Sequence, residues 1–324
     1  MWFEQLTGFP ETGADSVRSQ LVLDGEQLVS KANGRSMRVG RLTKPSLAEL
    51  RAAGDDTGPG SLTEVVADAQ QLHRDPANNG AVFQVASQFN LLEMVHEDVS
   101  PLDGVDGYEQ DHTQGPACAI ACGAATIYRN YLAPVGGGIG QTDQRQIDCL
   151  ADLGAALGNA GGELWEIRNG YCLPNPEGLD SISSQLGAAS ETELDELRGL
   201  LRIGVHADVE VTLGDSGNTV TQIFGSALPV AYRPSIPASA WEPFARLVLE
   251  ASYEATLRVA HTQAGDAPVF LTLLGGGAFG NADEWIEDAV MRAVSMVGAG
   301  LDLRMVSYGR PNKSVRRIID RLGA

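Results

Sequence analysis

The chain has 324 residues, 43% of them hydrophobic and 20% charged, and its net charge at pH 7 is −19. That length suits one enlarged domain able to bury a core without disulfide staples. With 42 acidic against 23 basic side chains, bulk binding to nucleic acid or to an anionic membrane is excluded, because such a surface repels both. A small anionic ligand is not excluded, since a local ring of backbone N–H groups outweighs distant, screened charge.

The opening segment "MWFEQLTGFPETGAD" lacks the basic and apolar regions of a secretory signal. No window approaches the run of apolar residues that spans a bilayer. Residues 20–40 alternate apolar and polar around Asp24-Gly25 and Asn33-Gly34, the pattern of small hairpins. "SLAELRAA" and "SLTEVVADAQQLH" each start with Ser and carry Glu three residues later, which predicts two helices opened by capping boxes. "GAVFQVASQFN" (80–90) predicts a central strand, followed by a polar, acidic loop to about residue 115. "PACAIACGAATIYRNY" predicts a helix of small residues. Cys118 and Cys122 share a face of that helix. No second Cys/His pair stands at ligand spacing, so close packing rather than a metal is the expected use of the pair. The four cysteines, with Cys149 and Cys172, suit reduced thiols and a cytoplasmic protein.

"PVGGGIGQTDQ" (134–144) predicts a glycine-rich loop or lid leading into the helix "RQIDCLADLGAAL". The middle of the chain predicts a strand at "GELWEIRNGYCL", the acidic helix "SETELDELRGLL" and strands at "GVHADVEVTL" and "TVTQIFGSALPVAY". Ser226 there lies outside any Gly-x-Ser-x-Gly elbow. A long amphipathic helix, "AWEPFARLVLEASYEATLRVAHTQ", leads to an apolar strand at 268–274. The strand "LDLRMVSYG" and the helix "NKSVRRIIDRL" close the chain. Strands alternating with long helices, with hairpins beside crossovers, predict an α/β fold with a mixed sheet.

The run after residue 274 carries the most chemistry. Gly275-Gly276-Gly277-Ala278-Phe279-Gly280-Asn281 joins a strand to a helix. Glycines let backbone N–H groups approach an oxygen cluster without a Cβ in the way. A helix N-terminus adds unpaired N–H groups and a favourable dipole. Ligands of open α/β sheets collect at the carboxyl ends of strands. A diphosphate is the natural occupant, although the run is neither a P-loop nor a dinucleotide fingerprint. The bland alternative is a tight turn, and Asp283 and Glu284 at the helix start favour it. Asn90, after the strand at 80–90, could bridge a ribose hydroxyl or simply form a turn.

"VASQFNLLEM" and "LLGGGAFGN" together resemble the two ligand loops of macrodomains, and the second resembles the diphosphate loop of microbial poly(ADP-ribose) glycohydrolase-like proteins. The resemblance covers about 83–130 and 267–308. It implies a three-layer α/β/α fold with a mixed central sheet, residues 1–324 as one enlarged domain, and an insertion at roughly 131–235. It also implies ADP-ribose or a related nucleotide as ligand, with no cofactor and no metal. By position, Gly275, Gly276, Gly277, Ala278, Phe279, Gly280 and Asn281 would cradle the diphosphate, with Phe279 and Asn90 on the distal ribose and Tyr308 on the adenine side. The glycines expected after the Asn are replaced by Leu91, Leu92 and Glu93, and the paired catalytic glutamates by Thr113 and Gln114. Asp111 and Glu109 are then the nearest carboxylates for glycosidic cleavage, with Glu93 third and His112 a further acid or base. Gln114 in place of a glutamate would leave a binder rather than a hydrolase. The open alternatives are an interaction protein on the same scaffold and an unrelated nucleotide-sugar enzyme.

Overall fold

The computed structural model describes residues 1–54, 58–214 and 216–323. Two helices, α1 (Trp2–Thr7) and α2 (Ala14–Gln20), precede the strands β1 (Leu21–Asp24), β2 (Gln27–Ser30) and β3 (Ser36–Arg38). These three strands form a small antiparallel sheet that turns at Asp24-Gly25 and Asn33-Gly34. Next come β4 (Arg41–Thr43), α3 (Leu47–Ala53), β5 (Leu62–Val66), α4 (Ala69–Arg74), β6 (Val82–Ala86), α5 (Gln114–Ala121) and α6 (Gly123–Tyr131). A two-residue hairpin, β7 (Pro134–Val135) and β8 (Gly138–Ile139), is followed by α7 (Ala151–Leu157) and the hairpin β9 (Trp165–Arg168) and β10 (Tyr171–Pro174). The chain continues through α8 (Pro176–Ala188), α9 (Glu191–Gly199), β11 (Gly204–Glu210), β12 (Thr219–Gly225), α10 (Ala238–Gln263) and β13 (Val269–Leu271). It ends with α11 (Asp283–Val297), β14 (Leu303–Ser307) and α12 (Lys313–Leu322).

Seven strands make the central sheet in the order β4-β11-β12-β6-β13-β14-β5. Strand β11 is antiparallel to both its neighbours, and the other six share one direction. The central strands are short apolar runs buried on both faces, as a sheet covered by helices requires. Along β6 the faces alternate. Phe83 stacks on His73 of α4 at 3.7 Å, while Gln84 donates to Thr256 of α10. Helices α4, α5 and α6 therefore cover one face, and α10 covers the other with α11, α8, α9 and α3 packed on it. The architecture is three-layer α/β/α with a mixed central sheet.

Several local expectations are corrected. Ser61 to Val66 does not open a helix: Leu62–Val66 is β5, paired with β14, and the helix after it is capped by Asp68. Glu64, expected in a capping box, instead accepts from Ser307 Oγ and Asn312 N. The small-residue helix is two helices, broken at Cys122. "GELWEIRNGYCL" is a hairpin rather than one strand, and α8 was not anticipated although Asn175 caps it with Pro176 behind. Residues 204–225, inside the stretch expected as an insertion, supply two adjacent strands of the central sheet.

The buried side chains form two clusters. The larger fills both faces of the sheet. The smaller joins Trp2, Phe3, Leu6 and Phe9 to α6 and the segment around Leu92–Tyr108. Among the described residues no helix is long and apolar enough to cross a membrane.

Candidate nucleotide site

The hydrogen-bond ladder between β6 and β12 runs to Ala86, but the ladder between β6 and β13 stops at Phe83. The two strands part beyond that point, and a side chain enters the gap. Gln114 Nε2 donates to Gln84 O at 2.8 Å and its Oε1 accepts from Ala86 N at 2.9 Å, so its carboxamide completes the interrupted ladder. Gly115 allows this approach, because a Cβ there would stand 2.0 Å from Ala86 O. Gln114 lines the cavity, with both ends of its amide bonded to backbone.

A cavity of about 1160 Å³ opens here. Its walls come from the carboxyl ends of β5, β6, β13 and β14 and from the start of α5, where open α/β sheets collect ligands. Residues Gly275 to Phe279 form one wall. Internal bonds shape that loop: Gly276 N donates to Leu273 O, Gly280 N to Gly277 O, and Asn281 N to Gly275 O. Gly275 has φ +76° and a Cβ on it would stand 2.4 Å from the Ala227 side chain, so glycine is required there. Among the described residues, the N–H groups of Gly277, Ala278 and Phe279 have no acceptor in the protein. These three successive donors stand in the cavity wall, available to an anionic ligand.

Two residues of the run do not reach the cavity. Asn281 is buried, and its Nδ2 donates to Leu228 O and Gly275 O. Gly280 turns the chain at φ +71° against Ala231. Both hold the loop's shape, and neither is among the residues lining the cavity. Asn90 is likewise outside it: fully buried, it accepts from Leu92 N and donates to Gln146 Oε1. The expected ribose contact at Asn90 has no opening to meet it. Tyr308 lines the cavity at its mouth, 79% exposed. Phe279 packs against Tyr171 and Tyr232 with ring centroids 5.5 and 5.7 Å apart, making an aromatic wall.

The carboxylates separate sharply by environment. Glu109 is exposed at the rim and accepts from Trp2 N at 2.9 Å. Asp111 accepts from Thr113 N, closing a turn before α5. His112 is an exposed rim residue. Glu93, ranked behind them on sequence grounds, is 2% exposed in the cavity wall. Neither of its carboxyl oxygens has a hydrogen-bond partner among the described residues. The Arg129 guanidinium stands 3.6 Å away, beyond hydrogen-bond length. Burial pushes the Glu93 carboxyl up to about 7, with Arg129 pulling the other way. Arg129 is itself fully buried, held by Leu91 O and Thr126 Oγ1 and stacked 3.9 Å over Phe224. The nearby His206 is held well below its usual range by burial and by that guanidinium, so Arg129 is the cation of the group.

The glycines of 136–140, expected as a lid, are not in the cavity wall. They fold over Arg145, which donates to Ile139 O and Gly140 O. The aromatic wall was not visible in the sequence, because Tyr171, Tyr232 and Phe279 come from three separate segments.

No protein-family model matches the sequence, and no curated protein is significantly similar to it. Among solved structures, the chain is similar to poly(ADP-ribose) glycohydrolase from Thermomonospora curvata, with 12% identity and a TM-score of 0.49 over 99% of this chain and 98% of that one. The same enzyme bound to the inhibitor ADP-HPD gives 12% identity and a TM-score of 0.49, covering 98% of each chain. Poly(ADP-ribose) glycohydrolase from Deinococcus radiodurans in complex with ADP-ribose gives 12% identity and a TM-score of 0.42, over 87% of this chain and 92% of that one. The likeness is one of overall architecture, spanning nearly the full chain in the first two cases.

Proposed function

We propose that this chain binds ADP-ribose or a closely related nucleotide diphosphate in the cavity between β6 and β13. The observation that carries the reading is the set of three consecutive N–H donors at Gly277, Ala278 and Phe279, unpaired in the wall of a cavity of about 1160 Å³. Two linked anionic groups satisfy such donors, while the aromatic wall of Tyr171, Tyr232 and Phe279 suits a sugar face and Tyr308 a base. Calorimetry with ADP-ribose tests it. Wild type is expected to bind in the micromolar range and Gly277→Glu not to bind at millimolar ligand. Nothing lies within 4 Å of a Cβ at position 277, so the variant's fold should persist and its melting temperature should match wild type. Failure of wild type to bind at millimolar ligand removes the reading.

Glu93 favours a second reading, hydrolysis of an ADP-ribosyl bond. A carboxyl raised to about 7 is part protonated at neutral pH and can act as acid and then base. It would give its proton to the leaving-group oxygen as the anomeric C–O bond breaks and a water oxygen bonds to that carbon. The water's proton then returns to the carboxylate. In this reading Asp111 and Glu109, tied to backbone N–H groups at the rim, shape the entrance.

A further inference from the structure

A second hollow of about 610 Å³ adjoins the cavity, sharing Asp283, Tyr308, Asn312 and Ser314 with it and adding Arg310, Pro311, Lys313 and Arg317. In a chain of net charge −19, this hollow gathers three cationic side chains against one carboxylate. Arg317 is already engaged by Glu287 and Asp283 and ties α12 to α11. Arg310 and Lys313 are exposed, and among the described residues neither side chain has an ion-pair or hydrogen-bond partner. No contact within the fold accounts for them. Asp283, the carboxylate that would oppose an anion, is turned to other uses by Ser314 Oγ at 2.7 Å and by Arg317.

We propose that this annex holds a third phosphate of the ligand, a monoester on the adenosine ribose, beyond the pair cradled by the glycine loop. The inference rests on the nucleotide reading of the main cavity. That cavity alone exceeds the roughly 300–1,000 Å³ of ordinary small-molecule sites, and its Tyr308 end adjoins the annex, with Asp283, Tyr308, Asn312 and Ser314 lining both. A phosphate ester there would meet two exposed, unpaired cations and the guanidinium of Arg317, the combination that suits a dianion. Free ADP-ribose, which lacks that ester, would leave the annex to water.

Calorimetry with two probes, ADP-ribose and ADP-ribose 2′-phosphate, tests the assignment. Wild type is expected to bind the phosphate ester about tenfold more tightly, the factor one charge-assisted contact supplies. An Arg310→Ala/Lys313→Ala variant is expected to bind the two probes within about twofold of each other, and Lys313→Arg to keep the preference. Equal affinities in wild type, or a preference surviving in the double variant, overturn the annex while leaving the ADP-ribose site standing. Binding of neither probe by wild type overturns both.

Discussion

At the scale of single residues, Glu93 is the buried, unbonded carboxyl of the cavity wall. Its carboxyl is lifted by burial to about 7 from an ordinary value near 4.3, so between those values the folded protein holds a proton that the unfolded chain releases. Stability from this group is therefore full at low pH and falls as pH rises through 7. In Glu93→Gln that dependence should disappear: the wild-type melting temperature, relative to the variant's, should decline from pH 5 to pH 8. Scanning calorimetry across that range decides it, and a difference flat in pH contradicts the assignment. If Glu93 is also the proton donor, the same variant should release ADP-ribose from an ADP-ribosylated protein about a hundredfold more slowly or worse. Calorimetric titration of the variant then separates lost chemistry from lost binding. Leu91 stands at φ +65°, a conformation that costs about 1–2 kcal/mol for a residue with a Cβ. The side chain compensates by burying itself against Gly204.

The helices on the face opposite α4–α6 are tied together by one buried carboxylate. Glu254, on α10, is fully buried and accepts from Arg51 of α3, Arg258 of its own helix and Arg292 of α11. Asp195 of α9 closes the ring by pairing with Arg51 and Arg292. Although burial opposes it, bonding to these three guanidiniums draws the Glu254 carboxyl down to about 2. A depressed carboxyl contributes stability that is present above its unfolded value and is lost as pH falls toward 2. Glu254→Gln, which leaves three guanidiniums short of a partner, should cost roughly 3 kcal/mol at pH 7. Urea titrations at pH 7 and pH 3 check this, and the gap between variant and wild type should narrow at the lower pH. The loop's own helix, α11, is one of the four elements joined here, so a distorted hub would also displace the amides of 277–279.

Across the whole molecule the two hydrophobic clusters share α5 and α6. Cys118, Cys122 and Ala125 face the larger, while Ala119, Ile120, Ala124 and Ile127 face the smaller. A helix pair common to both cores should make them unfold together, as one domain over 1–324 requires. Phe3 is fully buried in the smaller cluster, and Phe3→Ala should cost about 3 kcal/mol. That loss should lower one common melting transition. Trp2 lies in the smaller cluster, and Trp165 and Trp285 in the larger. Fluorescence and circular dichroism should give the same midpoint, and an early fluorescence phase would mean two domains.

Periodicity and capping chemistry were enough for the α/β class, the capping box of Ser46 and Glu49, the long helix α10, the central place of β6, and the glycine turn after β13, because each depends on neighbours a few residues apart. The same local rules misread Ser61-x-x-Glu64 as a helix start, since pairing of β5 with β14, some 240 residues away, outweighs a local cap. They also read Asn90 as a turn former, and its side chain accepts from Leu92 N two residues on; its second bond, to Gln146, lies beyond their reach. Which carboxylate is buried was beyond them as well. Glu93 and Asp111 are both acidic loop residues in sequence, and they part company only when α5 and α6 bring Gly115 and Arg129 against one of them. Desolvation belongs to the assembled interior and leaves no mark on the order of residues.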